Sequence, residues 1–343
     1  MHLRRGGAYG PEGLWPEGGL PGGHHAAGRP RLPAGPLSGG QAHGADPGRL
    51  YPLPERRRHP VAGQGGGPAG ARRGVLTLRA LDLPDHLEGQ LPAGSVWQVC
   101  QRFDHGLNLS CEGTLIFLSG PDSPLCPFGV RLPEGDAARL LAGTEIGQRF
   151  IWTGEQFRGS GLSVCCAGAR RVALSQAPVP QLPEGLSRWL EGDGVPPSPC
   201  TEALEAWSQR LFQTLGRLRG HWENLLRQCV GYGPGLTPAG DDFLVGLLWV
   251  HAWSPFFPAR CLDDLRKCLF LRPSTTRTSL NYYRHALEGR FSQPLIRLGE
   301  AMAREDWREA DRALLALLAL GHTSGRDTWA GIRAGLRFLL RQS

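Results

Sequence analysis

Residues 231–242 read Gly-Tyr-Gly-Pro-Gly-Leu-Thr-Pro-Ala-Gly-Asp-Asp and run straight into an apolar segment, 243–250. Glycines let backbone approach a ligand closely. Thr237 is a helix-capping type, and Pro238 behind it suits the first helical position. The pattern predicts a tight loop feeding the start of a buried helix. Such a start presents unpaired N–H groups and the positive end of the helix dipole. Gly233, Gly235, Thr237 and Gly240 are therefore candidate anion-binding positions. Asp241 and Asp242 suggest either a cation or helix-start electrostatics.

A second motif echoes the first. Gly325-Arg326-Asp327 with Gly331 has the spacing of Gly240-Asp241-Asp242 with Gly246, and both follow Gly/Thr turns. Thr323, Ser324 and Gly325 are candidate anion contacts. His322, between a helix end and a glycine turn, is a candidate proton carrier. Ser324 and Asp327 have capping-box spacing, so Asp327 either caps its helix or joins the site. Capping accounts for one aspartate per helix and accounts poorly for an adjacent pair. One of Asp241 and Asp242 is therefore predicted to point inward.

Between the motifs, Ser/Thr residues at 274–279 predict a helix start. Arg277 falls in its first turn, where a cation is unfavourable against the dipole, and is predicted to face an anion or carboxylate. Arg284 and His285 follow, and His285 shares a helix face with Glu288. The geometric expectation is that 235–242, 277–285 and 322–327 converge on one pocket.

Composition narrows the function. Of the formal charge of +7, residues 1–74 carry +6 through ten arginines against four acidic residues; the rest of the 343-residue chain is nearly neutral. No basic stripe with interleaved aromatics appears, so no nucleic-acid partner is expected. Lys267 is the only lysine, which excludes a Walker-type phosphate loop and leaves arginine to recognise anions. The nine cysteines form neither zinc spacing nor a disulfide framework. No apolar run reaches membrane-spanning length, and no secretory signal opens the sequence. Reduced thiols in a cytoplasmic protein are the expectation.

The patterning predicts an α+β chain. Residues 1–74, with 20 Gly and 11 Pro, lack apolar periodicity and are expected to be a disordered extension or an upstream reading frame. The preference for Arg over Lys favours the second, with a natural start near Val75. Residues 75–178 are expected to form a small β-rich, barrel- or sandwich-like domain. It opens with a short helix or lead-in over 76–87. Strands follow at 95–101, 107–111, 114–119, 128–132, 148–153, 162–166 and 171–175, with a hairpin turn at Glu112-Gly113. His105 and Asn108 could touch a ligand from a loop, although ordinary loop polarity explains them better. Residues 179–200 read as a Pro-rich linker, and 201–343 as an all-α domain. Its first apolar stripe is Leu204, Trp207, Leu211, Leu215, Leu218, Trp222, Leu225 and Cys229, at helical spacing. That stripe is core.

Three blocks, GYGPGLTPAGDDFLVGLL, TTRTSLNYYRHALEGRFSQPL and LGHTSGRDTWAGIRAGL, resemble the AllH-like family, which takes its name from a subunit of oxamate carbamoyltransferase. The likeness runs through about residues 95–343 and is strongest after Gly231. It implies carbamoyl transfer between oxalurate and phosphate, giving oxamate and carbamoyl phosphate, in the breakdown of allantoin and related purine products. It also implies partner subunits, one of them similar to succinyl-CoA synthetase. On this resemblance, Asp242, His285 and His322 are candidates for proton transfer. Arg277, Arg284, Arg290 and Arg326 would hold phosphate and carboxylate. Asp241, Asp242 and Asp327 would hold magnesium if one is used. A scaffold or regulatory subunit, or a related anion-binding enzyme with another substrate, is the competing expectation.

Overall fold

Short alternating runs between glycine turns build the first half of the described chain. A computed structural model describes residues 75–343, apart from 193, 216–221 and 272. The expectations for 1–74, and for Leu218 in the helical stripe, fall outside the described residues. The strands are β1 (Leu76–Arg79), β2 (Asp82–Pro84), β3 (Val96–Phe103), β4 (Gly106–Cys111), β5 (Thr114–Ser119), β6 (Gly129–Arg131), β7 (Arg149–Trp152), β8 (Gln156–Gly159), β9 (Leu162–Cys165) and β10 (Arg170–Val172). One helix, α1 (Glu134–Ala142), interrupts them. Glu112 and Gly113 both take positive φ, 47° and 83°, which is the backbone a tight two-residue hairpin needs.

The ten strands form one mixed sheet in the order β1-β9-β8-β7-β3-β4-β5-β6-β2-β10. It curls until its ends lie side by side. β1 and β2 are one strand broken at residues 80–81, running parallel to β9 and β10 in turn. Ala80 N donates to Cys165 O at 2.8 Å and Arg170 N to Leu81 O at 3.0 Å, which carries the pairing across the break. Asp82 fixes the seam. It is fully buried and accepts from Arg131 Nε and Nη2 (2.7 and 2.6 Å) and from Arg170 Nη2 (2.8 Å). Burial alone would raise its pKa, but these guanidinium bonds outweigh that and hold the carboxyl below its ordinary value.

The expected helix or lead-in over 76–87 is thus corrected to two strands. Their partners, β9 and β10, lie far along the chain, and no local pattern reveals a parallel pairing at that separation. Strand β8 and helix α1 were not foreseen.

The second half is helical: α2 (Leu186–Glu191), α3 (Thr201–Leu215), α4 (Trp222–Cys229), α5 (Ala239–Trp253), α6 (Ala259–Phe270), α7 (Arg277–Ala286), α8 (Gln293–Ala303), α9 (Trp307–Leu318) and α10 (Ser324–Leu340). The Pro-rich stretch holds α2, whose Leu186 and Leu190 are buried in the helical core. Its backbone is tied to the helices through Gln176 N to Gly289 O and Val179 N to Trp253 O, both 2.8 Å.

Helix α5 is buried along nearly its whole length, as an all-round apolar helix must be. Helix α10 crosses it with almost no side chain between the backbones. A Cβ on Gly246 would lie 2.2 Å from Thr328 O, and one on Gly331 2.0 Å from Phe243 O. The shared glycine spacing of the two motifs is therefore a packing device that lets two helix backbones touch.

Helix α7 docks on the sheet through Asn281, which is buried. Its Oδ1 accepts from Leu115 N at 3.0 Å, and its Nδ2 donates to Gly113 O at 3.1 Å. A small apolar cluster of Leu115, Cys126 and Phe128 joins the sheet to Tyr282 of α7.

Two substitutions separate contact from propensity. Gly331→Ala should lower unfolding free energy by about 1–3 kcal/mol through overpacking, read by urea denaturation. Gly135→Ala, in α1 with open space around its Cβ position, should be neutral or stabilising by about 0.5–1 kcal/mol. Equal effects at both positions would contradict the backbone-contact account.

Candidate functional site

The loop at 231–238 is built from inside. Gly231, Gly233 and Gly235 take φ of 75°, 100° and 105°, which only glycine adopts freely. A Cβ on Gly231 would meet Ser274 O at 2.2 Å, so the loop also lies backbone-to-backbone on the segment before α7. The start of α5 is already satisfied within the chain. Gly240 N donates to Tyr232 O (2.8 Å), and Asp241 N and Asp242 N donate to Pro238 O (2.8 and 3.1 Å). The expectation of an open ring of helix-start amides is corrected accordingly for these three donors. Thr237 is not the cap either. Pro238 holds that position without a side-chain cap, and Thr237 Oγ1 instead meets Ser324 Oγ at 2.8 Å.

This hydroxyl pair joins the two motifs at a cavity of about 820 Å³. All three stretches reach it. The loop supplies Gly235, Leu236 and Thr237, with Asp242 from the first turn of α5. Helix α7 supplies Thr278 and Tyr282, the turn before α10 supplies His322 and Thr323, and α10 opens with Ser324.

The two adjacent aspartates have opposite fates. Asp241 is 1% exposed and does not line the cavity. Its Oδ1 accepts from Gly231 N and from Tyr283 Oη, each at 2.9 Å, and its Oδ2 accepts from Thr275 Oγ1. Burial, with Asp241 alongside, pushes the Tyr283 phenol well above its ordinary pKa, so it remains a donor. Asp242 is 8% exposed and lines the cavity, and its Oδ2 has no partner. Burial pushes its carboxyl well above the ordinary carboxylate range. The hydroxyls of Ser324 and Thr237 oppose that shift, while Asp327 and Asp241 add to it. Asp242 thus favours the neutral acid, the form that can donate a proton.

Other candidates fall elsewhere. Gly233 packs against Ala239, Gly240 against Cys229 O, and Gly325 against Leu317 O. Arg277 donates to Ser110 Oγ at 3.1 Å rather than to a carboxylate. Arg284 sits 5.8 Å over the Phe270 ring and reaches toward Gly113 O at 3.5 Å. Arg326 donates to His322 O at 3.2 Å. Asp327, 1% exposed, accepts from Ser198 Oγ. The capping box with Ser324 does not form, since α10 has no side-chain cap. His285 is buried between His86, ring centroids 5.3 Å apart, and Phe128, 5.9 Å. Burial, then the charges of His86, Arg290 and Arg284, lower its pKa to about 3. It stays neutral at physiological pH and does not line the cavity.

Sequence reasoning underrated the remaining walls. Arg290 was named only among several arginines, yet it lines the cavity beside Phe291 and Ser292. The sheet supplies Phe103, His105, Asn108, Phe117 and Phe128. Of these, only His105 and Asn108 carried a signal in the sequence, as polar residues near a turn.

Magnesium does not fit the three carboxylates named for it. Asp241 is filled by three donors and Asp327 is committed to Ser198. Among the described residues no group of three or more His, Cys, Asp or Glu is placed to hold a metal ion. The nine cysteines are free thiols, and no described helix is long and apolar enough to cross a membrane.

Residues 229–336 match the model of a family described as oxamate carbamoyltransferase subunit AllH. The match begins at the end of α4 and stops near the end of α10, so it contains the glycine loop, α7 and the His322–Ser324 turn. No solved structure matches the chain.

Two pH effects of opposite sign follow. His285 has a folded pKa below its unfolded one, so its contribution is present above about pH 6.5 and is lost as pH falls toward 3. The slope is at most about 1.4 kcal/mol per pH unit. Denaturant titrations across that window should show His285→Gln flattening it. Asp242 has a folded pKa above its unfolded one, so it costs stability increasingly as pH rises above about 3.9. Asp242→Asn should therefore be more stable than wild type at pH 7, by thermal melts. A less stable variant would contradict the buried neutral acid.

Proposed function

We propose that this chain is a subunit of a carbamoyltransferase-type complex acting on small anionic substrates, with oxalurate and phosphate giving oxamate and carbamoyl phosphate. One observation carries this reading. The segment that matches the AllH model supplies two stretches of one cavity's lining, Gly235–Thr237 with Asp242 and His322–Ser324, which meet through the Thr237–Ser324 hydroxyl pair.

The reaction forms a bond from a phosphate oxygen to the carbamoyl carbon and breaks the bond from that carbon to the oxamate nitrogen. The nitrogen must leave with a proton. Asp242, whose carboxyl burial pushes well above the ordinary carboxylate range, is suited to deliver it. His322, exposed at the cavity edge, is suited to exchange that proton with solvent. Arg290, whose Nη1 already bonds Glu288, keeps other guanidinium donors suited to phosphate or carboxylate. The hydroxyls of Thr237 and Ser324 take the oxyanion-stabilising place that the helix-start amides were expected to fill. The complex would include other subunits, one of them similar to succinyl-CoA synthetase.

A second reading, a non-catalytic scaffold or regulatory subunit, is favoured by the wall chemistry. Arg290 is the single arginine or lysine among the described lining residues, and aromatic and aliphatic side chains make up much of the rest.

Calorimetric titration of the full chain with carbamoyl phosphate, oxamate and oxalurate, with and without magnesium, tests the first reading. At least one should bind, and Arg290→Gln should weaken it by about tenfold or more. In a complex reconstituted with its partner subunits, Asp242→Asn should keep assembly and lose about 10²- to 10⁴-fold in turnover. Full turnover by that variant would move the assignment to the scaffold reading.

A further inference from the structure

The cavity extends past the family-matched segment, and its far wall belongs to the sheet. Phe103 at the end of β3, His105 in the following turn and Phe117 of β5 form a triangle of rings. Their centroids are 6.1 Å (Phe103–His105), 6.1 Å (Phe103–Phe117) and 5.9 Å (His105–Phe117) apart. Gly106 makes this arrangement possible, because a Cβ there would lie 2.7 Å from the Phe117 ring. Phe103 and Phe117 are only half-buried and both line the cavity. They are not closed into a core as Phe150 and Phe157 are.

Asn108 pairs directly with Phe117 in the β4–β5 ladder and lines the same wall. It is 3% exposed. Its Nδ2 donates to Gln101 Oε1 at 2.9 Å, and its Oδ1 has no partner. A buried amide oxygen left unpaired is costly. Asp122, from the loop beyond β5, adds a carboxylate acceptor to this end. The wall thus combines stacking faces with acceptors that call for a donor. A volume of about 820 Å³ is far more than a two- or three-carbon anion fills, and lies in the range of sites for larger organic ligands.

We propose that this wall is a subsite for a planar nitrogen heterocycle, which stacks on one of the steeply inclined Phe103 and Phe117 rings, meets the other edge-on and donates an N–H to Asn108 Oδ1. An alkyl or acyl chain would satisfy the rings but would leave Asn108 unpaired. The subsite does not depend on carbamoyl transfer, because its residues lie outside 229–336.

Adenine and N6,N6,9-trimethyladenine, which keeps the ring and has no N–H, are the probes. Saturation-transfer NMR and titration at millimolar concentration use the full chain. Wild type should bind adenine about tenfold more tightly than the trimethyl compound. Asn108→Leu should abolish that preference, Asn108→Asp should keep it, and Phe103→Ala should weaken both ligands. If Asn108→Leu fails to fold by thermal melt, the Asp and Phe103 variants still decide. No adenine binding, equal binding of the two probes to wild type, or a preference that survives Asn108→Leu would overturn the subsite. Titrations with oxamate and carbamoyl phosphate report separately on the other end of the cavity, so either assignment can fail alone.

Discussion

The backbone contact between α5 and α10 is the constraint on which the site depends. Two helices can touch at Gly246 and Gly331 only where both lack a side chain. That contact fixes their relative register, and the register sets what meets at their N-terminal ends. Thr237 then meets Ser324 at 2.8 Å, and the loop before α5 and the start of α10 become adjoining parts of one cavity's lining. A side chain at either glycine would wedge the helices apart and separate those hydroxyls as well. The glycines therefore act on the site through packing, without lining it.

Asp241 extends that constraint to α7. Its three donors come from the glycine loop, from the segment ahead of α7 and from α7 itself. A buried carboxylate supplied with several donors is stable where a bare one is not. It holds the loop to the helix that carries Tyr282. Asp242, one residue on, has only the Ser324 and Thr237 hydroxyls to oppose its burial, and its Oδ2 is left without a partner. Neighbouring residues of identical type are thus assigned separate tasks by the 100° or so between successive positions on a helix.

The sheet contributes by the same logic of docking. Asn281 ties α7 to the β4–β5 hairpin, so the wall of Phe103, Asn108 and Phe117 is held against the helical walls. Asp82 closes the curled sheet with two arginines, which gives that wall a firm base. The cavity is therefore shared by both parts of the fold, with hydroxyls and the Asp242 carboxyl among the helical residues and aromatic rings among those of the sheet.

Much of this was legible without a structure. The glycine-rich loop, the buried helix, the Ser/Thr start of α7, where Thr276 accepts from Ser279 N, and most strands follow from residue type and spacing, because turns, caps and amphipathic periods are local. Residue type and spacing single out the aspartate pair, but both members are buried, and packing alone sets Asp242 rather than Asp241 in the cavity lining. The sequence alone could not reveal that Leu76–Arg79 finds a parallel partner in Leu162–Cys165, since that pairing depends on chain closure at long range. Nor could it distinguish glycines that approach a ligand from glycines that admit another helix, because both need only the missing Cβ. Arg277, Arg284 and His285 looked chemical by type, and only tertiary packing turned them to the hairpin, to the Phe270 ring and to a buried place beside His86. Residue types thus set which chemistry was available to this chain. Burial and helix register, which are properties of the packed whole, decided which of those residues face the cavity.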